Sequence, residues 1–293
     1  GGLGVAFAFQ GSGVANVDCA TVEIRLLDDG TYMLFTGSTD MGQGSNTVLA
    51  QIACETLGCP MEMMGVYEAD TDVPFDPGSY ASSTTYVTGT ATKLAAEDLK
   101  AKIVEEFARR LDVDESLLTF DGEKVWTEDG TKTMTTAELA PLLVSGAQAQ
   151  HLIGIATWGS ETSPPPFMVG IAEVKVDLET GKVVPQEYYG VVDCGTIVNR
   201  NLAQVQAEGG IVQGIGMALY EEVRYSSRGV LETNNFMHYK IPSRLDTGNI
   251  HVGFVESYEP SGAYGIKSIG EVVINTSSPA IQGAIFNATG AEV

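Results

Sequence analysis

The stretch "ATVEIRLLDDGTYMLFTGSTDMGQGSNTVLAQIACETLG", Ala20 to Gly58, sets the fold. Apolar and polar side chains alternate on both sides of Asp28-Asp29-Gly30, which predicts two strands and the turn between them. Val48, Leu49, Ile52, Ala53, Thr56 and Leu57 then fall on one helical stripe, with Ser45 or Asn46 available as N-cap and Gly58 as terminator. Strand, strand, helix is therefore the expected local order.

A short strand at "MMGVYEA" follows, then a loop rich in Asp, Pro, Gly, Ser and Thr from Asp70 to Gly89. It leads into "ATKLAAEDLKAKIVEEFARRL", where Leu94, Leu99, Ile103, Phe107 and Leu111 are spaced for one helix face. The same order returns further along. "MVGIAEVKVDLETGKVVPQEYYGVVD" reads as strand, Glu179-Thr180-Gly181 turn, strand, and "NLAQVQAEGGIVQGIGMALYEEV" as a helix carrying glycines. "NIHVGFVES" reads as a strand and "SSPAIQGAIFNATG" as a helix with Pro279 in its first turn. The expected fold class is α+β: two β-β-α-β-α repeats, residues 1–111 and 167–293, joined by a connecting segment, 112–166, and packed as one lobe.

The chain has 293 residues, 44% of them hydrophobic and 18% charged, as expected of a folded globular protein. Its 16 basic and 38 acidic residues give a formal charge of −22, which disfavours a nucleic-acid surface or an anionic membrane as partner. A bound phosphate would have to be held mainly by backbone N–H groups. Cys19, Cys54, Cys59 and Cys194 form no C-x-x-C pair, and His151, His238 and His251 stand far apart, so no protein-held metal is expected. A reducing cytoplasm fits the cysteine usage, and no run of about 18 apolar residues suggests a membrane span. The abrupt start at "GGLGVAFAF" and the end at "NATGAEV" read as a piece of something longer.

Four stretches carry chemistry. "GSTDMGQGSNT", Gly37 to Thr47, is a glycine turn between strand and helix, a geometry that leaves N–H groups and a positive dipole end for an anion, or that simply needs glycine for φ > 0. Gln43 lies between two glycines there, and its amide can both donate and accept. "DPGSYASSTTYVTGT", Asp76 to Thr90, holds three serines and four threonines ahead of a helix, suited to phosphate or pterin oxygens or to plain capping. Gly209, Gly210, Gly214 and Gly216 interrupt a helical pattern at roughly 1 kcal/mol each, which calls for close approach of a ligand or another backbone. In "GIKSIGEVVINTSSPAIQGAI" the one carboxylate, Glu271, either points into solvent or sits partly desolvated as a proton acceptor.

Five stretches together, "TGSTDMGQGSNTVLAQIACETLG", "DVPFDPGSYASSTTYVTGTA", "VDCGTIVNRNLAQVQAEGGIVQGIGMALYEE", "NNFMHYKIPS" and "GAYGIKSIGEVVINTSSPAI", resemble the molybdenum hydroxylases. The likeness is to the C-terminal lobe of the molybdopterin-binding subunit of the xanthine dehydrogenase and aldehyde oxidase family. It covers nearly the whole chain except residues 112–157.

The resemblance implies molybdopterin, possibly as the cytosine dinucleotide, with molybdenum held by the pterin dithiolene. It implies cofactor contacts from Gly42, Gln43 and Gly44, from Ser82, Thr84 and Thr85 around the phosphate, and from Gln213 in "VQGIG". Glu271 matches the family's catalytic glutamate, which takes a proton from a metal-bound hydroxyl so that water-derived oxygen attacks an electron-poor carbon of a heterocycle or aldehyde. Lys267 matches a lysine common in this motif and is expected to anchor the loop. Implied partners are an N-terminal molybdopterin lobe, [2Fe–2S] and FAD domains or subunits, and a small-molecule substrate.

Relatives often carry "SRTT" where this chain has "SSTT", so Ser83 stands in place of an arginine, and "NRN" at Asn199 to Asn201 replaces Asn-Pro. A catalytically silent scaffold of the same fold, and a hydrolase pairing Asp193 with Glu271, are the alternatives.

Overall fold

The computed structural model describes residues 1–145, 147 and 149–293. Eleven strands and six α-helices follow in the order β1 (Gly2–Phe9), β2 (Cys19–Leu26), β3 (Tyr32–Thr36), α1 (Ser45–Leu57), β4 (Met64–Glu68), α2 (Thr84–Leu111), β5 (Leu118–Phe120), β6 (Lys124–Thr127), β7 (Thr133–Thr135), α3 (Thr136–Leu143), β8 (Ile153–Gly159), β9 (Phe167–Val176), β10 (Val183–Asp193), α4 (Arg200–Leu219), β11 (Asn249–Phe254), α5 (Val272–Asn275) and α6 (Ser277–Thr289) among the described residues. The class is α+β. Two compact units are interleaved in sequence, one made of residues 12–163 and 260–266, the other of 1–11, 164–259 and 267–293.

In the unit containing residues 12–163, β2 and β3 form the expected antiparallel hairpin, with Val22 opposite Thr36 and Leu26 opposite Tyr32. β4 then adds parallel to β3, and β8 adds antiparallel to β2, giving the order β4-β3-β2-β8. The alternate residues Ala20, Val22, Ile24 and Leu26 of β2 are buried against α1 and α2. Leu99, Ile103 and Phe107 of α2 are fully buried in that core. Residues 112–166 also carry the small sheet β5-β6-β7, helix α3 and the edge strand β8.

Two local expectations are corrected. Helix α1 is capped by Gly44 in the left-handed conformation (φ 83°), and Ser45 and Asn46 lie beyond the cap, inside or at the first turn. The loop expected to run to Gly89 ends at Ser83, since α2 starts at Thr84. The run of β-branched and glycine residues there has poor helix propensity, yet burial overrides it. Thr90 and Thr92 return their hydroxyls to the Tyr86 and Thr88 carbonyls at 2.6 and 2.8 Å, and Gly89 lies against Ile52 and Ile266 where a methyl group would touch.

In the other unit β9 and β10 pair antiparallel, β11 adds parallel to β10 and β1 adds antiparallel to β9, giving the order β1-β9-β10-β11. Gly2 and Gly4 of β1 face α6, whose backbone near Ala284 and Ala288 leaves no room for a side chain. Met168, Ala172, Val174, Tyr188 and Val192 bury against Ile211, Ile215, Val273 and Ile281 of the helices. Among the described residues no helix is long and apolar enough to cross a membrane.

Candidate functional site

In the first unit the glycine turn and the serine–threonine loop lie side by side. Ser79 Oγ donates to the Thr39 carbonyl at 3.3 Å, and Gly37 abuts Pro74 and Asp76. Of the two readings of this turn, the hydrogen bonds favour the structural one, since several of its N–H groups are already taken. The Asp40 carboxylate accepts from the N–H groups of Gly42 (2.8 Å), Gly44 (3.2 Å) and Asn46 (3.2 Å). Although partial burial pushes its pKa up, the three donated N–H groups prevail and hold it below the usual carboxylate value.

The Gln43 amide is likewise engaged at home. Its Oε1 accepts from Met41 N–H at 2.6 Å, and its Nε2 donates to the Thr39 carbonyl at 2.9 Å and to Ser45 Oγ at 3.1 Å. Those bonds stiffen a turn whose Gly42, at φ 105°, has open space where a side chain would stand. Beside it, the Asn46 Oδ1 is buried with no hydrogen-bond partner among the described residues, which is the kind of acceptor a bound donor would satisfy.

The serine–threonine loop ends in two successive left-handed residues, Ala81 (φ 47°) and Ser82 (φ 54°), a conformation that costs each of them about 1 kcal/mol or more. That turn sets Ser83 as the N-cap of the 28-residue α2 with no side-chain cap, and its first turn holds no acidic residue. Thr84 donates to Ser79 Oγ at 3.1 Å and Ser83 to the Gly78 carbonyl at 3.2 Å, while Thr85 is half-buried. The start of α2 thus sets several hydroxyls beside helix-end N–H groups, a donor set that suits the oxygens of a phosphate. Ser82 precedes the N-cap, and Thr84 and Thr85 are the first two residues of α2.

In the second unit, Glu271 is half-buried at the N-cap of α5. The segment leading to it, residues 267–271, is anchored by a partly buried ion pair. Lys267, 7% exposed, places Nζ 3.1 Å from Asp193 Oδ1 at the end of β10 and 5.2 Å from the Phe167 ring centre. Burial raises the Asp193 pKa, but bonds from the Gly195 N–H, Ser257 and Lys267 outweigh it and keep it low. Asp193 is thus committed to holding the chain, and Lys267 has the anchoring role expected of it. Cys194 next to it is pushed up to about 11, first by burial and then by the Asp193 charge.

Two contributors carry no sequence signal. Gln10, just after β1, donates from Nε2 to Glu271 Oε2 at 3.3 Å and accepts from Asn275 Nδ2 at 3.4 Å, and Ser268 Oγ donates to the Gly11 carbonyl at 3.1 Å. These pairs are about 260 residues apart in sequence, so no local pattern links them. Gln213 is exposed on α4, the helix that packs on α5. The α4 glycines serve that packing. A side chain at Gly210 would strike Val273, and one at Gly214 would lie 2.7 Å from the Ile274 carbonyl oxygen, whereas nothing lies within 4 Å at Gly209. Among the described residues no three His, Cys, Asp or Glu side chains converge as a metal site.

The family model described as molybdopterin cofactor-binding domain matches residues 1–248. The chain is 34% identical over 292 residues to the probable hypoxanthine oxidase XdhD of Escherichia coli (strain K12), covering 99% of this chain and 30% of that protein. It is 35% identical over 300 residues to the putative xanthine dehydrogenase molybdenum-binding subunit XdhA of the same strain, covering 100% of this chain and 40% of that subunit. The crystal structure of quinoline 2-oxidoreductase from Pseudomonas putida 86 superposes with a TM-score of 0.88 at 26% identity, over 99% of this chain and 39% of that one. This chain therefore spans well under half the length of the relatives it matches. It belongs to the molybdopterin cofactor-binding domain family of molybdenum oxidoreductases.

Proposed function

We propose that this chain is the C-terminal lobe of the molybdopterin-binding portion of a molybdenum hydroxylase, with Glu271 as the general base. The observation that carries the reading is the half-buried Glu271 carboxylate at the end of a segment tied down by the Lys267–Asp193 pair. Anchoring of this kind is what a proton acceptor needs, since general-base catalysis depends on placement within hydrogen-bond reach of the proton.

The cofactor fits the donors present. Ser82, Thr84, Thr85 and the first N–H groups of α2 would hold its phosphate, Gly42, Gln43, Gly44 and the acceptor Asn46 Oδ1 would offer further contacts, and Gln213 would add an amide. When bound, molybdopterin supplies the metal and its redox capacity. The protein's own contribution is to take up the proton of the attacking water-derived oxygen at the Glu271 carboxylate. The cytosine dinucleotide form suits a site made of hydroxyls and amides. Electrons would leave through [2Fe–2S] and FAD carriers on partner domains or subunits, in the cytoplasm, where the four free thiols are stable.

The substrate class is an electron-poor carbon of a nitrogen heterocycle or an aldehyde, as the names of the relatives suggest. The runs β2-β3-α1-β4-α2, within residues 1–111, and β9-β10-α4-β11-α6, within residues 167–293, are read as two copies of one repeat, each completed by a strand from outside its run, β8 and β1 respectively. In the molybdenum-loaded complex, Glu271→Gln should lower kcat by about 100-fold or more, with molybdenum and pterin retained. Undiminished turnover would favour a silent scaffold instead.

A further inference from the structure

We propose that Gln10 is a positioning residue for the Glu271 carboxylate, held in turn by Asn275. This rests on the reading of Glu271 as the base. A glutamate side chain has three rotatable bonds, and at an N-cap its carboxylate can swing toward its own helix N–H groups or out to solvent. Something must select the catalytic rotamer.

The Gln10 side chain is half-buried and bonded at both ends of its amide. Nε2 faces Glu271 Oε2 at 3.3 Å, and Oε1 faces Asn275 Nδ2 at 3.4 Å. A carboxylate cannot donate, so the end facing Glu271 must be the NH2 group, and the Asn275 donor fixes the other end as oxygen. Asn275 lies four residues after Glu271, one helical turn on, so α5 presents both groups on one side to a single amide.

The Gln10 backbone is itself fixed. Its N–H donates to the Pro166 carbonyl at 3.3 Å, and the neighbouring Gly11 carbonyl receives Ser268 Oγ at 3.1 Å. The end of β1 therefore grips the glutamate segment at two points, one on the backbone at Gly11 and one on the carboxylate. Both amide bonds are long, a geometry suited to tightening when substrate binds.

The test is steady-state kinetics of the intact, molybdenum-loaded complex on whichever of hypoxanthine, quinoline, nicotine or benzaldehyde the wild type oxidises fastest. Gln10→Met keeps the length and removes the donor. It should lower kcat by about 10- to 100-fold with KM within roughly twofold, because a misplaced base slows the chemical step without weakening substrate binding. Asn275→Leu, at an exposed helix position, should lower kcat in the same direction, and the double variant should be no worse than Gln10→Met alone, since both act through one bond chain.

Full kcat in Gln10→Met, or losses that multiply in the double variant, would overturn the proposal. Should Gln10→Met fail to assemble, Asn275→Leu decides alone: an unchanged kcat would overturn it. Glu271→Gln in the same assay separates the two levels, since an active Glu271→Gln enzyme removes the base reading itself, whereas an inactive one beside a fully active Gln10→Met removes only the positioning role.

Discussion

Asp40 occupies the N–H groups that its glycine turn would otherwise offer to a ligand, and so acts as an internal anion at the start of α1. Its pKa is lowered in the folded state, so the stability it contributes is present above its unfolded value of about 3.9 and is lost as pH falls through the lower folded value. Asp40→Asn keeps the shape and removes the charge. It should cost about 1 kcal/mol at pH 7, and thermal melts at a series of pH values should show the difference from wild type shrinking below pH ~4. A difference independent of pH would contradict this. At this scale the sequence was legible where a residue acts through its own neighbours: Ser82 stands just before the N-cap of α2, and Thr84 and Thr85 open the helix. It was silent where the partner is remote, as for Gln10 with Glu271, and left two readings open at the Gly42 to Gly44 turn, where the Asp40 carboxylate accepts from three N–H groups.

At the scale of elements, α4 carries glycines for two different reasons, and substitution tells them apart. Gly214→Ala would push a methyl group to 2.7 Å from the Ile274 carbonyl oxygen and 2.6 Å from Ser277 Cβ, so it should destabilise the protein by roughly 1–3 kcal/mol through overpacking. Gly209→Ala meets nothing within 4 Å and should stabilise by up to about 1 kcal/mol through helix propensity alone. Chemical denaturation of the two variants checks both signs. Elements with strong periodicity, the β2–β3 hairpin and α1, followed directly from the sequence, and so did the stripe of Leu99, Ile103 and Phe107. The start of α2 did not, because threonines and glycine favour loops until tertiary burial and hydroxyl back-bonding make them helical. The pairing of β8 with β2 was equally hidden, since strand partners separated by more than 120 residues leave no local trace.

For the whole molecule, a formal charge of −22 disfavours phosphate binding by side-chain cations, and under the proposed function the hydroxyls and helix end at the start of α2 would serve in place of lysines. The family emerged from the order of five motifs, whereas the interleaving of the two units, with β1 completing the sheet of β9 to β11, could be seen only in three dimensions. Under the proposed function, this chain holds molybdopterin as part of a larger enzyme. The measurement that tests it most directly is molybdenum by elemental mass spectrometry, with pterin fluorescence, on the native complex isolated through this chain. Close to one molybdenum and one pterin per chain are expected; a fully assembled complex with neither would refute cofactor binding by this chain.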